Sequence, residues 1–190
     1  MKYKNTYLLA GIPVEMICTG EYLVRQCRDY ITDMTPEFSI EMTEDDIAAE
    51  KERSEDKSYS DGYYESLAFY RKLCDKIPDR GIILFHSCAV AVDGKAYLFT
   101  APSGTGKSTH ASLWKEILGE RVRIINGDKP LIRVTPGHIT VYGTPWNGKE
   151  RWGENSHADI AGICFLSRAT ENKIVPVSGS DAMPLLYRQT

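Results

Sequence analysis

The sequence lacks the features that mark several protein classes. Its five cysteines are scattered and include no C-x-x-C pair, which suits reduced thiols better than a zinc site or a disulfide framework. The longest apolar stretch, residues 81–92, is interrupted by His86 and is too short to span a bilayer. Pro13 and Glu15 cut off the short apolar run near the start before a secretory signal is complete. We therefore expect a cytoplasmic protein without a membrane partner.

Basic residues are slightly fewer than acidic residues. The 23 Lys and Arg residues are outnumbered by 26 Asp and Glu, and the net charge of −3 argues against a nucleic-acid partner. Residues 41–61 hold nine acids against three bases. Such a charge run predicts a solvated helix and linker, and an acidic docking site for a partner is the alternative.

The first 75 residues predict a small α+β region. We expect one or two strands around a Gly-Ile-Pro turn, a helix, a further strand and an amphipathic helix, over residues 7–19, 20–30, 38–42 and 63–74. No motif in this region indicates a function.

Residues 76–190 predict an α/β core with a mixed sheet. Strands are expected at residues 82–85, 89–92, 96–100, 122–125, 131–134, 139–142 and 160–167, with a helix at 106–118. Residues 180–190 begin like a helix and stop without a terminating signal. This ending predicts either a short last helix or a core that continues beyond Thr190.

The segment 101–109, Ala-Pro-Ser-Gly-Thr-Gly-Lys-Ser-Thr, lies between a predicted strand and a predicted helix, as a phosphate-binding loop does. Gly104 and Gly106 allow the backbone N–H groups to wrap around phosphates, and the helix N-terminus adds a positive dipole end. Lys107 can reach the β- and γ-phosphates, while the Ser108 hydroxyl can bind Mg²⁺. Ala101 replaces the usual first glycine. The alternative is a Gly/Ser-rich surface loop.

Phosphoryl transfer also requires an acid that holds the metal or accepts the proton of the substrate. Asp128 is the candidate, because it follows Lys107 by 21 residues and comes just after an apolar strand. The alternative is a simple turn at Asn-Gly-Asp, since all three residues favour turns.

The loop 143–155 is rich in tryptophan, glycine and basic residues. Lys149 and Arg151, with Arg133 upstream, could clamp phosphate oxygens while Trp146 and Trp152 shape a substrate pocket. A hairpin loop anchored by its tryptophans is the equal alternative. His110, His138 and His157 are dispersed and form no metal pattern.

Residues 85–109, FHSCAVAVDGKAYLFTAPSGTGKST, resemble the HPr kinase/phosphorylase family, in which a histidine precedes an S-G-x-G-K-S loop by a similar interval. The loop is also similar to that of ATP-dependent phosphoenolpyruvate carboxykinases, which share the kinase core. The resemblance covers roughly residues 81–167 and is strongest over residues 86–128. It implies a mixed-sheet P-loop kinase fold.

The resemblance also implies roles for individual residues. Those that bind ATP would be Ser103, Gly104, Thr105, Gly106, Lys107, Ser108 and Thr109. Ser108 would hold Mg²⁺, and Asp128 would act as a second metal ligand or as the general base. The catalytic residues would be Asp128, Lys107 and His86, which would line the active site. The family has a pair of aspartates where this chain has Gly127 and Asp128, so the missing acid is assigned to Gly127.

The expected activity is a kinase that transfers the γ-phosphoryl group of Mg-ATP to a hydroxyl of a protein, peptide or small molecule, with a serine of a protein or peptide as the first expectation. The alternatives are a nucleotide-binding regulatory module without turnover, which the single acid favours, and a carboxykinase-type metabolic enzyme. The sequence contains no Asn-Lys-x-Asp guanine motif, which argues against a GTPase. A homo-oligomer is compatible with the sequence.

Overall fold

The chain divides between Arg80 and Gly81 into two units, Met1–Arg80 and Gly81–Thr190. The computed structural model describes residues 2–190. The sequence predicts this division at residue 75, whereas a last 3-10 turn at Pro78–Arg80 still belongs to the first unit. The α/β class is confirmed, because helices accompany a three-stranded and a seven-stranded sheet, both with parallel and antiparallel pairs.

The first unit is built on a small mixed sheet in which β2 pairs with β1 in antiparallel and with β3 in parallel orientation. Its elements are β1 (Tyr3–Leu9), β2 (Ile12–Cys18), α1 (Glu21–Cys27), β3 (Phe38–Glu41), α2 (Glu44–Arg53) and α3 (Asp61–Lys76). The prediction of a Gly-Ile-Pro turn is wrong, since Ile12 and Pro13 belong to β2. The turn is Ala10-Gly11, with φ of +50° and +78°, a pair that matches the twist of a two-residue hairpin.

The acidic segment forms α2 and a linker, as the charge pattern predicts. The helix begins with a capping box, in which Thr43 and Asp46 each bond the backbone N–H of the other. Its acids are not all solvated. Glu50 is 5% exposed and accepts two hydrogen bonds of 2.8 Å from the Arg71 guanidinium on α3. The charge run therefore contains a buried carboxylate, and its bidentate pair with the exposed Arg71 side chain links two helices of this unit.

The second unit follows the predicted element order. Its elements are β4 (Ile82–Leu84), β5 (Cys88–Val92), β6 (Lys95–Thr100), α4 (Lys107–Leu118), β7 (Val122–Asn126), β8 (Leu131–Thr135), β9 (His138–Tyr142), β10 (His157–Phe165) and α5 (Gly179–Tyr187). The strand order in the sheet is β4-β8-β9-β10-β6-β5-β7. The predicted Asp93-Gly94 hairpin turn joins β5 to β6, and both residues have positive φ.

Strand direction decides which residues meet at one edge of this sheet. Strand β10 is parallel to β6, and β5 is antiparallel to both β6 and β7. The C-terminal ends of β6, β7 and β10 therefore share an edge with the N-terminal end of β5. This arrangement gathers the residues that follow three strands and those that precede a fourth, and such an edge is where open α/β sheets bind ligands.

Both faces of the central strands are buried. Alternate residues of β5 contribute to two apolar clusters, with Ala89 and Ala91 on one face and Cys88 and Val90 on the other. Helix α4 packs on the second face through Ala111 and its neighbours. This packing fixes the start of α4 above the sheet edge. Among residues 2–190, no helix has both the length and the apolarity to cross a membrane.

Candidate functional site

The glycine-rich loop, residues 101–106, joins the end of β6 to the start of α4. Gly104 and Gly106 have φ of +76° and +123°, in the region that side chains strongly disfavour. A Cβ at either position would meet no atom within 4 Å, so the backbone conformation, and not crowding, requires glycine there. Lys107 is 9% exposed, and its ammonium donates to the Ala101 carbonyl at 2.9 Å. Lysine, backbone N–H groups and the helix dipole together suit an anion.

His86 and Asp128 lie at the same edge and contact each other. His86 Nε2 is 3.1 Å from Asp128 Oδ1, and both side chains are about one-third exposed, at 35% and 31%. Hydrogen bonds to the backbone carbonyls of both residues hold the pair in place. Ser87 N–H donates to the Asp128 carbonyl, and the Thr100 Oγ1 hydroxyl donates to the His86 carbonyl. The last residue of β6 thus links the pair to the start of the glycine-rich loop.

The charges around Asp128 keep it ionised. Burial raises the pKa of this carboxyl, but the hydrogen bond with His86 lowers it. The positive charges of Lys129 and Lys107 lower it further, and the net shift of the pKa is downward. In turn, burial lowers the pKa of the Lys107 ammonium while the charge of Asp128 opposes that effect. The site therefore presents a carboxylate near a partly desolvated ammonium at neutral pH.

Asn126 positions Asp128, and sequence reasoning missed this role. Its side chain is fully buried, and its Oδ1 accepts hydrogen bonds of 2.8 Å from the N–H groups of both Asp128 and Lys129. Its Nδ2 donates to the carbonyl and the hydroxyl of Thr144, at 3.1 and 3.0 Å. The Asn-Gly-Asp turn is thus real, and it fixes the direction in which the carboxylate points.

The loop 143–155 packs directly on this turn. Gly127 N–H donates to the Trp152 carbonyl at 2.8 Å. A Cβ at Gly127 would lie 2.8 Å from the Asn147 carbonyl oxygen and 3.2 Å from that of Trp152. Two backbone carbonyls therefore occupy the space that a side chain at position 127 would need, which accounts for the glycine at this position.

The residues of this loop that the sequence singles out lie in different surroundings. Trp146 is buried at 5% exposure and anchors the loop, whereas Trp152 is half-buried and lines a cleft against α4 that also contains Glu150. Lys149 and Arg151 are exposed. Arg133 lies in β8, which β9 and β10 separate from β6, so it is not brought to the glycine-rich loop.

Arg168 is a second site residue that sequence reasoning missed. It follows β10, and its Nη2 donates to the Gly104 carbonyl at 2.6 Å, with a longer contact of 3.5 Å from Nε to the Thr105 carbonyl. Only the parallel pairing of β10 with β6 brings it to the loop. The guanidinium holds the loop backbone and adds positive charge beside it.

Burial raises the pKa of the Cys88 thiol to about 12, and the negative charge of Glu150 acts in the same direction. Cys88 is therefore a protonated thiol and a poor nucleophile. Among residues 2–190, no three histidine, cysteine or acidic side chains converge as a metal site. Ser108 near the start of α4 and Asp128 after β7 carry a hydroxyl and a carboxylate at this edge of the sheet.

Comparisons with known proteins add no relative. No protein-family profile matches the chain, and no curated protein matches it significantly.

Proposed function

We propose that the second unit is a P-loop kinase core, of the type the HPr kinase/phosphorylase resemblance implies, which transfers the γ-phosphoryl group of Mg-ATP to a hydroxyl acceptor. One observation carries the proposal. The glycine-rich loop with Lys107 and the His86–Asp128 pair lie at the same edge of one sheet, at the ends of β6 and β7 and the start of β5. A phosphate group and the acceptor of that group have to meet in such an arrangement.

Each residue then has a role that its surroundings support. The loop N–H groups and Lys107 would bind the β- and γ-phosphates. Ser108 and Asp128 offer hydroxyl and carboxylate oxygens, the hard donors that Mg²⁺ prefers, so the residues present fit this ion. Bound there, Mg²⁺ would neutralise charge that develops on the phosphate oxygens.

The His86–Asp128 pair would handle the proton. The acceptor hydroxyl oxygen attacks the γ-phosphorus, the bond from that phosphorus to the β–γ bridging oxygen breaks, and ADP leaves. Asp128 accepts the hydroxyl proton as the new phosphate ester forms, and His86 orients the carboxylate through the 3.1 Å contact. A serine of a protein or peptide is the acceptor class that the resemblance suggests.

A nucleotide-binding module without turnover is the second candidate. The crowding at Gly127 favours it, because the loop 143–155 leaves no space there for a second acid. The two candidates share the phosphate site and differ in whether one carboxylate suffices for transfer.

Calorimetric titration with Mg-ATP tests the phosphate site. Lys107→Ala should weaken binding at least about tenfold, because it removes a charged hydrogen-bond donor from the phosphates. Lys115→Ala, a change at an exposed lysine of the same helix, is the matched control and should bind like the wild type. Unchanged binding by Lys107→Ala, or none by the folded wild type, would disprove the proposal.

Labelled ATP offered with serine-containing peptides tests the transfer. Asp128→Asn should still bind ATP and should transfer no label. Full transfer by Asp128→Asn would show that the acid is elsewhere, and wild-type binding without turnover on any acceptor would favour the regulatory module.

A further inference from the structure

A cleft of about 310 Å³ lies beside the first two turns of α4, the helix that follows the glycine-rich loop. Helix α4 forms one wall and the loop 143–155 the other, and the lining residues are Ser108, Thr109, Ser112, Leu113, Glu150 and Trp152. We call this the α4 cleft. Its lining includes Ser108, the residue directly after Lys107, so the cleft is within reach of a ligand whose phosphates lie on the glycine-rich loop.

The walls of the α4 cleft differ in chemistry. Leu113 is 47% exposed and Trp152 is half-buried, which gives an apolar and aromatic surface. Glu150 is an exposed carboxylate across from the hydroxyls of α4. An aromatic ring stacks on any nucleobase, and a carboxylate is the group that accepts hydrogen bonds from ribose hydroxyls in dinucleotide-binding folds. The volume is at the lower end of the range for small-molecule sites.

Two other occupants fit less well. The phosphoryl acceptor has to reach the γ-phosphate near His86 and Asp128, and neither residue lines the α4 cleft. A dedicated metal site would need several converging ligands, and Glu150 is the only acid among the lining residues. The remaining part of a nucleotide, its nucleoside, matches both the position and the chemistry.

We infer that the α4 cleft is the nucleoside subsite, in which the Trp152 indole stacks on the base and the Glu150 carboxylate accepts hydrogen bonds from the ribose hydroxyls. This inference rests on the proposed function, because the phosphates must lie on the glycine-rich loop for the nucleoside to reach the cleft. It assigns two residues of the loop 143–155 to nucleotide selection.

Binding of three ligands with Mg²⁺ tests it by calorimetry: ATP, 2′,3′-dideoxy-ATP and inorganic triphosphate. Trp152→Ala should weaken ATP binding about tenfold, the effect of losing one stacked base, and should leave triphosphate binding unchanged. Trp152→Phe keeps an aromatic ring and should retain most of the ATP affinity, which guards against misfolding of the alanine variant.

The role of Glu150 is tested by comparing ATP with dideoxy-ATP, which lacks the ribose hydroxyls. The wild type should prefer ATP to dideoxy-ATP about tenfold, and Glu150→Ala should reduce that preference to within about twofold, because the charged acceptor is gone. Glu116→Gln changes an exposed acid of α4 outside the cleft and is the matched control.

The outcomes separate the two proposals. A wild type that binds neither ATP nor triphosphate would overturn the proposed function and, with it, the subsite. If ATP and triphosphate bind equally tightly, the phosphate site stands and the nucleoside subsite is wrong. Should Glu150→Ala weaken triphosphate as much as ATP, then Glu150 acts on the phosphates or the metal, and its assignment to ribose is overturned.

Discussion

Substituting Gly127 with aspartate creates the acid pair that the HPr kinase/phosphorylase resemblance would imply, and we expect it to damage the site. The sequence alone suggests the opposite, because it indicates that a catalytic acid is missing at Gly127. In the structure, a Cβ at position 127 would lie 2.8 Å from the Asn147 carbonyl oxygen and 3.2 Å from that of Trp152. Both are backbone atoms, so a side-chain rotation cannot relieve the contact.

The size of the effect follows from these contacts. Overpacking of a fixed site typically costs about 1–3 kcal/mol. The added carboxylate would also face two carbonyl oxygens, and moving the loop 143–155 away would break the 2.8 Å hydrogen bond between Gly127 N–H and the Trp152 carbonyl. We expect Gly127→Asp to lower the free energy of unfolding by about 3 kcal/mol, the upper end of that range.

Urea denaturation measures this loss, and Gly127→Ala separates its two causes. The alanine variant adds the Cβ without the charge and should lose about 1–2 kcal/mol. Gly179→Ala is the matched control, since a Cβ there meets no atom within 4 Å and the backbone φ is not positive. A Gly127→Asp protein as stable as the wild type, or one with higher ATP turnover, would refute the packing explanation.

Two further predictions concern the same sheet edge. The lowered pKa of Asp128 means that its ionised form stabilises the folded state above the ordinary aspartate pKa of about 3.9, and that this contribution is lost as the pH falls through the folded pKa. The difference in unfolding free energy between wild type and Asp128→Asn should therefore shrink on acidification from about pH 6 to pH 3; a constant difference would contradict the charge assignment. Arg168→Ala should speed amide hydrogen exchange in residues 103–106 and weaken ATP binding by about threefold to tenfold, because the loop carbonyls lose a charged donor. Unchanged exchange would show that Arg168 does not hold the loop.

The elements of the second unit were predictable because their signals are local. Apolar runs of strand length and an Asp-Gly turn define the β5–β6 hairpin. The glycine-rich loop was predictable from Gly104, Gly106 and Lys107. Two glycines with positive φ directly before a helix that starts with lysine are typical of a phosphate-binding loop. The candidate residues His86 and Asp128 depend on a longer pattern, and the structure places them in contact.

Neither the strand order nor the packing of one element on another was predictable, and each residue that sequence reasoning missed depends on one of them. Arg168 reaches the glycine-rich loop only because β10 inserts between β9 and β6. Asn126 is a typical turn residue, and its bonds to the N–H groups of Asp128 and Lys129 are local, but its two hydrogen bonds to Thr144 need the loop 143–155 folded against it. In the first unit, Glu50 belongs to an acidic run, and its burial requires Arg71 from another helix.

The single acid and the α4 cleft have one physical origin. The loop 143–155 approaches the Asn-Gly-Asp turn closely enough for its backbone to replace a side chain at position 127, and the same approach places Trp152 and Glu150 opposite α4. A chain with an aspartate at position 127 could not hold the loop this close, and its cleft would lose that wall. If the protein transfers phosphate, Asp128 is the one carboxylate of this turn that can accept the proton of the acceptor hydroxyl, and His86 is its hydrogen-bond partner.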